Sequence, residues 1–207
     1  FCRIFEGMFM SKAYLILADG SFFEGKSMGA EGRVIGETVF TTGMTGYVET
    51  LTDPSYFGQI VTQTFPLIGN YGVPAEGLDE RGISLNFESG NIWVRGLVIS
   101  QYSEDYSHWD AVRSLGDWMK QHHIPGIYGV DTREITKYLR DKGSMLGMIV
   151  PDGEDKDFPV DDPNLENQIA KVSCSEITEY GSGEKAVVLV DCGVKHNILR
   201  CLEERGI

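Results

Sequence analysis

Several features that would identify a function class are missing from this chain of 207 residues. No apolar run approaches the ~20 residues that a membrane-spanning helix needs, so no membrane segment is predicted. Basic residues are scarce: 18 Lys and Arg stand against 31 Asp and Glu, a net charge of −13. Because an acidic chain repels phosphate backbones, nucleic acid is not an expected partner.

Cysteines are few and scattered. They are Cys2, Cys174, Cys192 and Cys201, and none forms a C-x-x-C pair. This spacing is typical of a cytosolic protein with reduced thiols rather than of a disulfide framework or a zinc site. Cys192 ends a predicted buried strand, where nucleophiles do occur, but nothing marks His196 as its base. We therefore expect Cys174, Cys192 and Cys201 to be small buried apolar residues.

Motifs of catalysis and nucleotide binding are also lacking. The sequence predicts no nucleophile elbow, no catalytic residue and no metal site. The glycines of GAEGRVIG (29–36) superficially resemble a phosphate loop, but the Lys-Ser/Thr of a Walker motif is absent. His122 and His123 end a predicted helix, where the helix dipole accounts for them without catalysis.

What is present begins as β structure. Asp19-Gly20 is a strong hairpin signal between two short strand-like runs. Further runs alternate or continue apolar in the manner of strands. The predicted strands are 13–18, 21–26, 34–40, 59–65, 93–100, 124–130 and 145–150.

Two helices are predicted from capping residues and helical spacing. Ser107 with Asp110 would begin the first, and Asp131 with Glu134 the second, which Gly143 ends. The expected apolar faces are Trp109, Val112, Leu115, Met119 and His122 on the first helix, and Ile135, Tyr138 and Leu139 on the second.

The composition changes at Pro151. The run PDGEDKDFPVDDP (151–163) is rich in carboxylates and proline, which is typical of an exposed linker, and it lacks the residue order of an EF-hand. A buried strand at 186–193 and a helix with Ile198, Leu199 and Leu202 then predict the opening of a parallel α/β domain. One such unit cannot bury both its faces, so we expect either a fragment or packing of this unit on the first domain.

A hydroxyl-rich stretch, TTGMTGYVETLTDPSYFGQIV (41–61), contains neither His nor Cys. Within it, Asp53-Pro54-Ser55-Tyr56 predicts a turn that projects Ser55 and Tyr56 at a surface. On composition alone the stretch is either a plain polar turn or a preorganised loop that holds a small polar ligand or another domain.

Long segments resemble the small, glutamine-hydrolysing subunit of carbamoyl-phosphate synthase. The resemblance covers nearly everything after about Ser11. Its segments are 44–73 (MTGYVETLTDPSYFGQIVTQTFPLIGNYGV), 96–100 (GLVIS), 124–150 (IPGIYGVDTREITKYLRDKGSMLGMIV), 172–176 (VSCSE) and 190–206 (VDCGVKHNILRCLEERG).

The resemblance implies an α/β (α+β) architecture. A swivelling β/β/α N-terminal domain would occupy 11–150, after an upstream extension at 1–10. An acidic linker at 151–185 would lead to the first βα unit of a class I glutamine amidotransferase domain at 186–207. The Cys-His-Glu triad of that domain would lie beyond Ile207, so this chain alone is expected to be inactive.

The resemblance also implies partners and a site. Glutamine would be hydrolysed, and its ammonia would pass to a large synthetase subunit that uses ATP and magnesium to make carbamoyl phosphate from bicarbonate; this chain would need no cofactor. Ser55 matches a position that looks like a glutamine contact, Asp53 would fix its turn, and Lys195 matches a family position without an assigned role. The location would be cytoplasmic. The rival hypothesis is a non-catalytic docking module for the large subunit, and the pathway, pyrimidine or arginine biosynthesis or both, stays open.

Overall fold

The computed structural model describes residues 11–158 and 162–207. The expected extension at 1–10, with Cys2, lies outside the described residues, as do residues 159–161 of the expected linker. The strands are β1 (Lys12–Leu17), β2 (Phe22–Gly29), β3 (Val34–Thr41), β4 (Gln59–Gln63), β5 (Leu67–Ile68), β6 (Val73–Pro74), β7 (Gly96–Ile99), β8 (Gln101–Tyr102), β9 (Ala111–Arg113), β10 (Pro125–Tyr128) and β11 (Met145–Pro151). The helices are α1 (Tyr47–Thr52), α2 (Leu115–Gln121), α3 (Thr132–Lys142), α4 (Gln168–Val172) and α5 (His196–Glu203), with 3₁₀ turns at Pro54–Tyr56 and Pro163–Leu165.

Seven strands close into a barrel in the order β1-β11-β3-β4-β7-β10-β2. Parallel pairs join β3 to β4, β4 to β7 and β7 to β10, and the other pairs are antiparallel. Two-stranded pieces, β5 with β8 and β6 with β9, lie outside it. The fold is therefore mixed α/β and dominated by its sheet.

The barrel begins with the predicted hairpin. The Leu17 N–H donates to the Ser21 carbonyl at 2.8 Å, and Gly20 has φ of 87°, a left-handed conformation that glycine adopts without steric cost. Ala13, Leu15 and Leu17 of β1 are buried at every second position, as period-2 side-chain alternation requires. The hairpin prediction is confirmed.

Two apolar clusters form the core. One is contributed by strands β1, β4, β7, β10 and β11 together with α3, and it includes Leu15, Ile60 and Val98. The other packs α1 and α2 on the sheet and includes Leu51 and Trp118. Each fully buried aliphatic side chain stabilises the fold by about 1.5–3 kcal/mol.

The second predicted helix is confirmed as α3. The Asp131 carboxylate accepts the backbone N–H groups of Arg133 at 3.0 Å and Glu134 at 2.9 Å, so it caps the helix as expected. Gly143 ends it with φ of 92°.

The first predicted helix begins later than expected, so its predicted start was wrong. Ser114, not Ser107, is the N-cap of α2, and its hydroxyl accepts the Asp117 N–H at 3.1 Å. The residues just before it form β9, which pairs with β6, and Trp109 is 88% exposed instead of lying on an apolar face. Both Ser107 and Ser114 could cap a helix locally. The pairing of β9 with β6 holds the residues before Ser114 in a strand, so the helix begins at Ser114. The prediction that His122 and His123 end the helix is confirmed.

The predicted strand at 186–193 was also wrong, whereas the following helix is confirmed as α5. Residues 186–190 form no β-ladder within the described residues, and Val188 and Val190 are 92% and 78% exposed. An apolar run becomes a strand only when another strand supplies its hydrogen-bond partners. Cys174 and Cys192 are exposed and Cys201 is partly exposed, so the expectation that these three cysteines are buried was wrong. Among the described residues, no helix has both the length and the apolar character needed to cross a membrane.

Candidate functional site

Helix α1 carries the hydroxyl-rich stretch and is anchored at its start by a tyrosine. The Tyr71 hydroxyl accepts the N–H groups of Gly46 at 2.8 Å and Tyr47 at 3.1 Å, which satisfies two donors that a helix start leaves free. The two tyrosine rings stack with centroids 4.1 Å apart, and burial raises the pKa of Tyr71. The anchored helix fixes where its other end, at Asp53, lies.

Asp53 begins the predicted turn at that end. Its Oδ1 accepts the Ser55 N–H at 2.9 Å, and the Tyr56 N–H donates to the Asp53 carbonyl at 3.0 Å. Asp53 is only 5% exposed, whereas Ser55 is exposed. The turn prediction is confirmed, as is the expectation that Asp53 fixes it; the serine hydroxyl is free to face solvent or a ligand.

The second oxygen of Asp53 reaches the C-terminal segment. Asp53 Oδ2 lies 2.6 Å from Lys195 Nζ, and the Asp53 side chain is 7% exposed against 42% for Lys195. The hydrogen bond with Asp53 is the main cause that raises the pKa of Lys195 above its ordinary value. One carboxylate therefore holds the Ser55 turn on one side and the start of α5 on the other.

Close packing accompanies this ion pair. A Cβ added at Gly193 would lie 3.1 Å from Pro54 Cβ, and Gly193 has φ of 98°. Asp191 Oδ1 accepts the N–H groups of Gly193 and Val194, each at 2.8 Å, and so shapes the loop that reaches the turn. A side chain at position 193 would separate the two segments.

Glu88 caps α5 from outside the helix. Lys195 occupies the N-cap position without a side-chain hydrogen bond to the helix. Instead, the Glu88 carbonyl accepts the His196 N–H at 2.8 Å, and Glu88 Oε2 accepts the Asn197 N–H at 3.0 Å. The Glu88 N–H in turn donates to the Thr52 hydroxyl at 3.0 Å, which links the cap to the end of α1.

His196 and Arg200 complete the polar contact. The Ser84 N–H donates to His196 Nδ1 at 2.9 Å, so this nitrogen carries no proton. Arg200 donates to the Ser84 and Phe87 carbonyls and lies 3.7 Å from Glu88 Oε1. Burial is the main cause that lowers the pKa of His196, with the Arg200 charge acting in the same direction. We call the contacts made by Asp53, Ser84 and Glu88 with Lys195, His196, Asn197 and Arg200 the polar junction.

No described group has the arrangement of an activated nucleophile. The hydrogen bond with Asp191 is the main cause that raises the pKa of the Cys174 thiol, which disfavours its thiolate. A G-x-S-x-G pattern does occur at Gly25–Gly29, but it lies inside strand β2 rather than at the strand-to-helix turn of a nucleophile elbow. Among the described residues, no group of three or more His, Cys, Asp or Glu side chains could hold a metal ion.

Sequence reasoning singled out the turn but missed most of the polar junction. Lys195 was noted without a role, and Glu88 and Arg200 were not noted. The partners Glu88 and Asn197 lie 109 residues apart, and no local pattern relates such positions. One signal did exist: α5 has no Ser, Thr, Asp or Asn at its N-cap position, so its free N–H groups must find another acceptor.

The family model and the similar proteins point to the same enzyme family. The family described as carbamoyl-phosphate synthase small chain, CPSase domain, matches residues 15–149. The carbamoyl-phosphate synthase (ammonia), mitochondrial, of Homo sapiens is 50% identical over 196 residues, which is 94% of this chain and 13% of that protein. The carbamoyl phosphate synthase arginine-specific small chain of Saccharomyces cerevisiae is 47% identical over 201 residues, 95% of this chain and 49% of its own.

The multifunctional protein pyr1-3 of Dictyostelium discoideum is 45% identical over 210 residues, 95% of this chain and 9% of that protein. The chain thus spans between 9% and 49% of the length of these three relatives. The family match extends over most of the barrel. On this evidence the chain belongs to the carbamoyl-phosphate synthase small-chain family.

Proposed function

We propose that this chain is part of the glutamine-hydrolysing arm of a carbamoyl-phosphate synthase, a ligase. In this proposal, ammonia released from glutamine passes to a synthetase part, which makes carbamoyl phosphate from bicarbonate with ATP and magnesium. The swivelling β/β/α domain would correspond to the barrel with α1 to α3, and the polar junction would join it to the start of the amidotransferase domain. The cytoplasmic location stays a prediction.

The observation that carries the proposal is the double use of Asp53. Its carboxylate accepts the Ser55 N–H at 2.9 Å and binds Lys195 at 2.6 Å, so the exposed serine lies beside the start of α5. In this proposal, that segment opens the amidotransferase domain. A serine hydroxyl can donate to the carboxylate of an amino acid or accept from its ammonium group. Ser55 would therefore contact glutamine from across the domain boundary.

The names of the relatives leave the nitrogen source to be tested. One printed name specifies ammonia, and another specifies an arginine-specific small chain. We propose glutamine because Ser55 is presented at the junction on an ordered turn, an arrangement that suits an amino-acid ligand. Assays of the longer enzyme with glutamine and with ammonium salt as alternative nitrogen donors distinguish the two.

The test is Ser55→Ala in the longer enzyme. Loss of a hydrogen bond to a charged ligand group should raise KM for glutamine about 10-fold or more, with ammonia-dependent synthesis unchanged. Ser11→Ala, an exposed serine remote in sequence, is the control and should leave both activities unchanged. An unchanged KM for glutamine would contradict the ligand role, and lost assembly with unchanged glutamine affinity would support the docking-module alternative.

We also expect the 207-residue chain alone to release no glutamate from glutamine above background. The reason is chemical: the His196 Nδ1 already accepts the Ser84 N–H, and the hydrogen bond with Asp191 raises the pKa of the Cys174 thiol, which disfavours its thiolate. Incubation with glutamine followed by a glutamate assay checks this. Turnover that survives further purification would show that the chain holds a complete glutaminase site.

A further inference from the structure

The Ser55 turn is held in place by a neighbouring stretch of chain. We define the supporting segment as residues 88–93, with the sequence ESGNIW. It precedes strand β7, and its contacts fall on the residues just before the turn and just after it. The polar junction uses only Glu88 of this segment, so the other contacts need a reason of their own.

Trp93 of the supporting segment spans the turn. Its N–H donates to the Leu51 carbonyl of α1 at 2.9 Å, and its carbonyl accepts the Gly58 N–H at 3.4 Å. Its ring lies edge-on to the Phe57 ring, with the two centroids 5.6 Å apart. The backbone on both sides of Ser55 is therefore fixed to one residue.

The hydroxyl of Ser89 ties this arrangement together. It donates to the Thr52 carbonyl at 2.7 Å, and it accepts the Trp93 Nε1–H at 2.7 Å and the Asn91 N–H at 3.3 Å. The Asn91 carbonyl lies farther away, at 3.1 Å, so we assign the single hydroxyl hydrogen to Thr52. One donated and two accepted hydrogen bonds use the full capacity of a serine hydroxyl. Ser89 is 8% exposed, so these bonds are made away from bulk water.

Loss of the Ser89 hydroxyl would leave two groups without their partners. These groups are the Thr52 carbonyl and the Trp93 indole N–H. Thr52 is only 2% exposed, so its carbonyl can reach water only if the backbone moves. Thr52 directly precedes Asp53, which accepts the Ser55 N–H, so this movement would displace the Ser55 hydroxyl as well.

We propose that Ser89 is a positioning residue for glutamine. It does not contact the ligand itself; its hydroxyl holds Thr52, and through Thr52 the turn that presents the Ser55 hydroxyl. This inference rests on the proposed function, because it takes Ser55 as a glutamine contact. Hydrogen bonds weaken steeply with small errors in geometry, so a support of this kind affects how tightly glutamine binds.

The experiment compares the KM for glutamine of Ser89→Ala, Ser55→Ala and the double variant in the longer enzyme. Ser89→Ala should raise this KM about 5-fold, less than Ser55→Ala does, with ammonia-dependent synthesis unchanged. The double variant should raise it no further than Ser55→Ala alone, because an absent hydroxyl cannot be positioned. Effects that multiply in the double variant would show that Ser89 acts separately from Ser55, which contradicts the positioning role.

Ser114→Ala is the matched control. Ser114 is 7% exposed, and its hydroxyl accepts the Asp117 N–H at the start of α2, so this variant also loses a hydrogen bond at a buried serine. The melting temperature should fall in both alanine variants, but only Ser89→Ala should raise the KM for glutamine. A raised KM in Ser114→Ala would assign the effect to a general loss of stability and overturn the inference.

Ser89→Cys is a second variant, in case Ser89→Ala does not fold. The thiol fills a similar volume but forms only weak hydrogen bonds, so the KM for glutamine should again rise. An unchanged KM in the folded Ser89 variants, beside a raised KM in Ser55→Ala, would overturn this inference and leave the proposed function intact. An unchanged KM in Ser55→Ala would instead remove the glutamine contact, and the inference would fall with it.

Discussion

Two apolar runs of similar composition have opposite fates in this chain. Strand β11 (MLGMIVP) pairs with β1 on one side and β3 on the other, and its Val150 is 0% exposed. The run at 186–190 (AVVLV) belongs to no β-ladder among the described residues, and its Val188 is 92% exposed. Composition alone therefore does not make a strand; the presence of neighbouring strands does.

The two regions are also held in place by different forces. The barrel is held by ladders and buried aliphatic side chains, which are insensitive to charge. The segment that follows 186–190 is held at the polar junction by Asp53, Glu88 and Ser84, through ion pairs and helix-capping hydrogen bonds. The junction should therefore loosen separately from the barrel, under conditions that leave the barrel intact.

The same substitution in the two runs should give the largest contrast. Val150→Ala removes two buried methyl groups and should lower the free energy of unfolding by about 2–3 kcal/mol, including the cavity it leaves. Val188→Ala should change it by less than about 0.5 kcal/mol, because the side chain is already in water. Urea denaturation of both variants measures this. Comparable losses would mean that 186–190 is buried in solution, which would break the contrast.

Loss of the helix cap should have an intermediate effect, confined to the junction. Glu88→Ala removes the acceptor for the Asn197 N–H and the partner of Arg200, and should lower the free energy of local opening of α5 by about 1–2 kcal/mol. Amide hydrogen exchange should quicken in α5 and stay unchanged in β1 and β11. Glu184→Ala is the control, because Glu184 is exposed and takes no part in the polar junction. Faster exchange in the barrel as well would show that the two regions open together.

Lowering the pH should have the smallest effect on stability, and this effect should be confined to the polar junction. Burial lowers the pKa of His196 below 6.5, so the folded state favours the neutral ring that accepts the Ser84 N–H. Its contribution is complete above about pH 6.5 and is lost as the pH falls through the lowered pKa, because the unfolded chain binds the proton more readily. Glu88 and Asp79 oppose this shift, and Arg200 favours it.

Hydrogen exchange of α5 at about pH 7.5 and about pH 5.5, corrected for intrinsic rates, should reveal this loosening. His196→Asn keeps an acceptor near the position of Nδ1 but does not titrate, so this variant should lose the pH dependence. A pH dependence that persists in His196→Asn would assign the effect to another group.

Local patterns predicted those features whose partners are close in sequence. Asp131 caps α3 through residues two and three positions away, Asp53 holds its turn through Ser55, and the Asp19-Gly20 hairpin joins adjacent strands. The predicted start of α2 was wrong because Ser107 and Ser114 offer similar local caps. Only the pairing of β9 with β6, a contact between separate parts of the chain, favours Ser114 over Ser107.

The candidate site divides in the same way. The exposed Ser55 and the carboxylate that positions it follow from four consecutive residues, because an Asp-Pro turn closes on its own backbone. The resemblance supplied the family and a ligand hypothesis for Ser55. Local sequence patterns could not predict that the turn contacts Lys195 and the start of α5. Their contacts are charge pairs and hydrogen bonds, which many other residues of an acidic chain could have made.

The amino-acid sequence by itself therefore determined the hairpin, the α3 cap and the Ser55 turn, since each is closed by hydrogen bonds within a few residues. Only the tertiary structure decided that Asp53 contacts Lys195, that Glu88 caps α5, and that Trp109 is exposed while 186–190 pairs with no strand among the described residues. These outcomes depend on which distant segments the closed barrel brings together. A polar or apolar side chain has many equivalent partners until the fold fixes its neighbours.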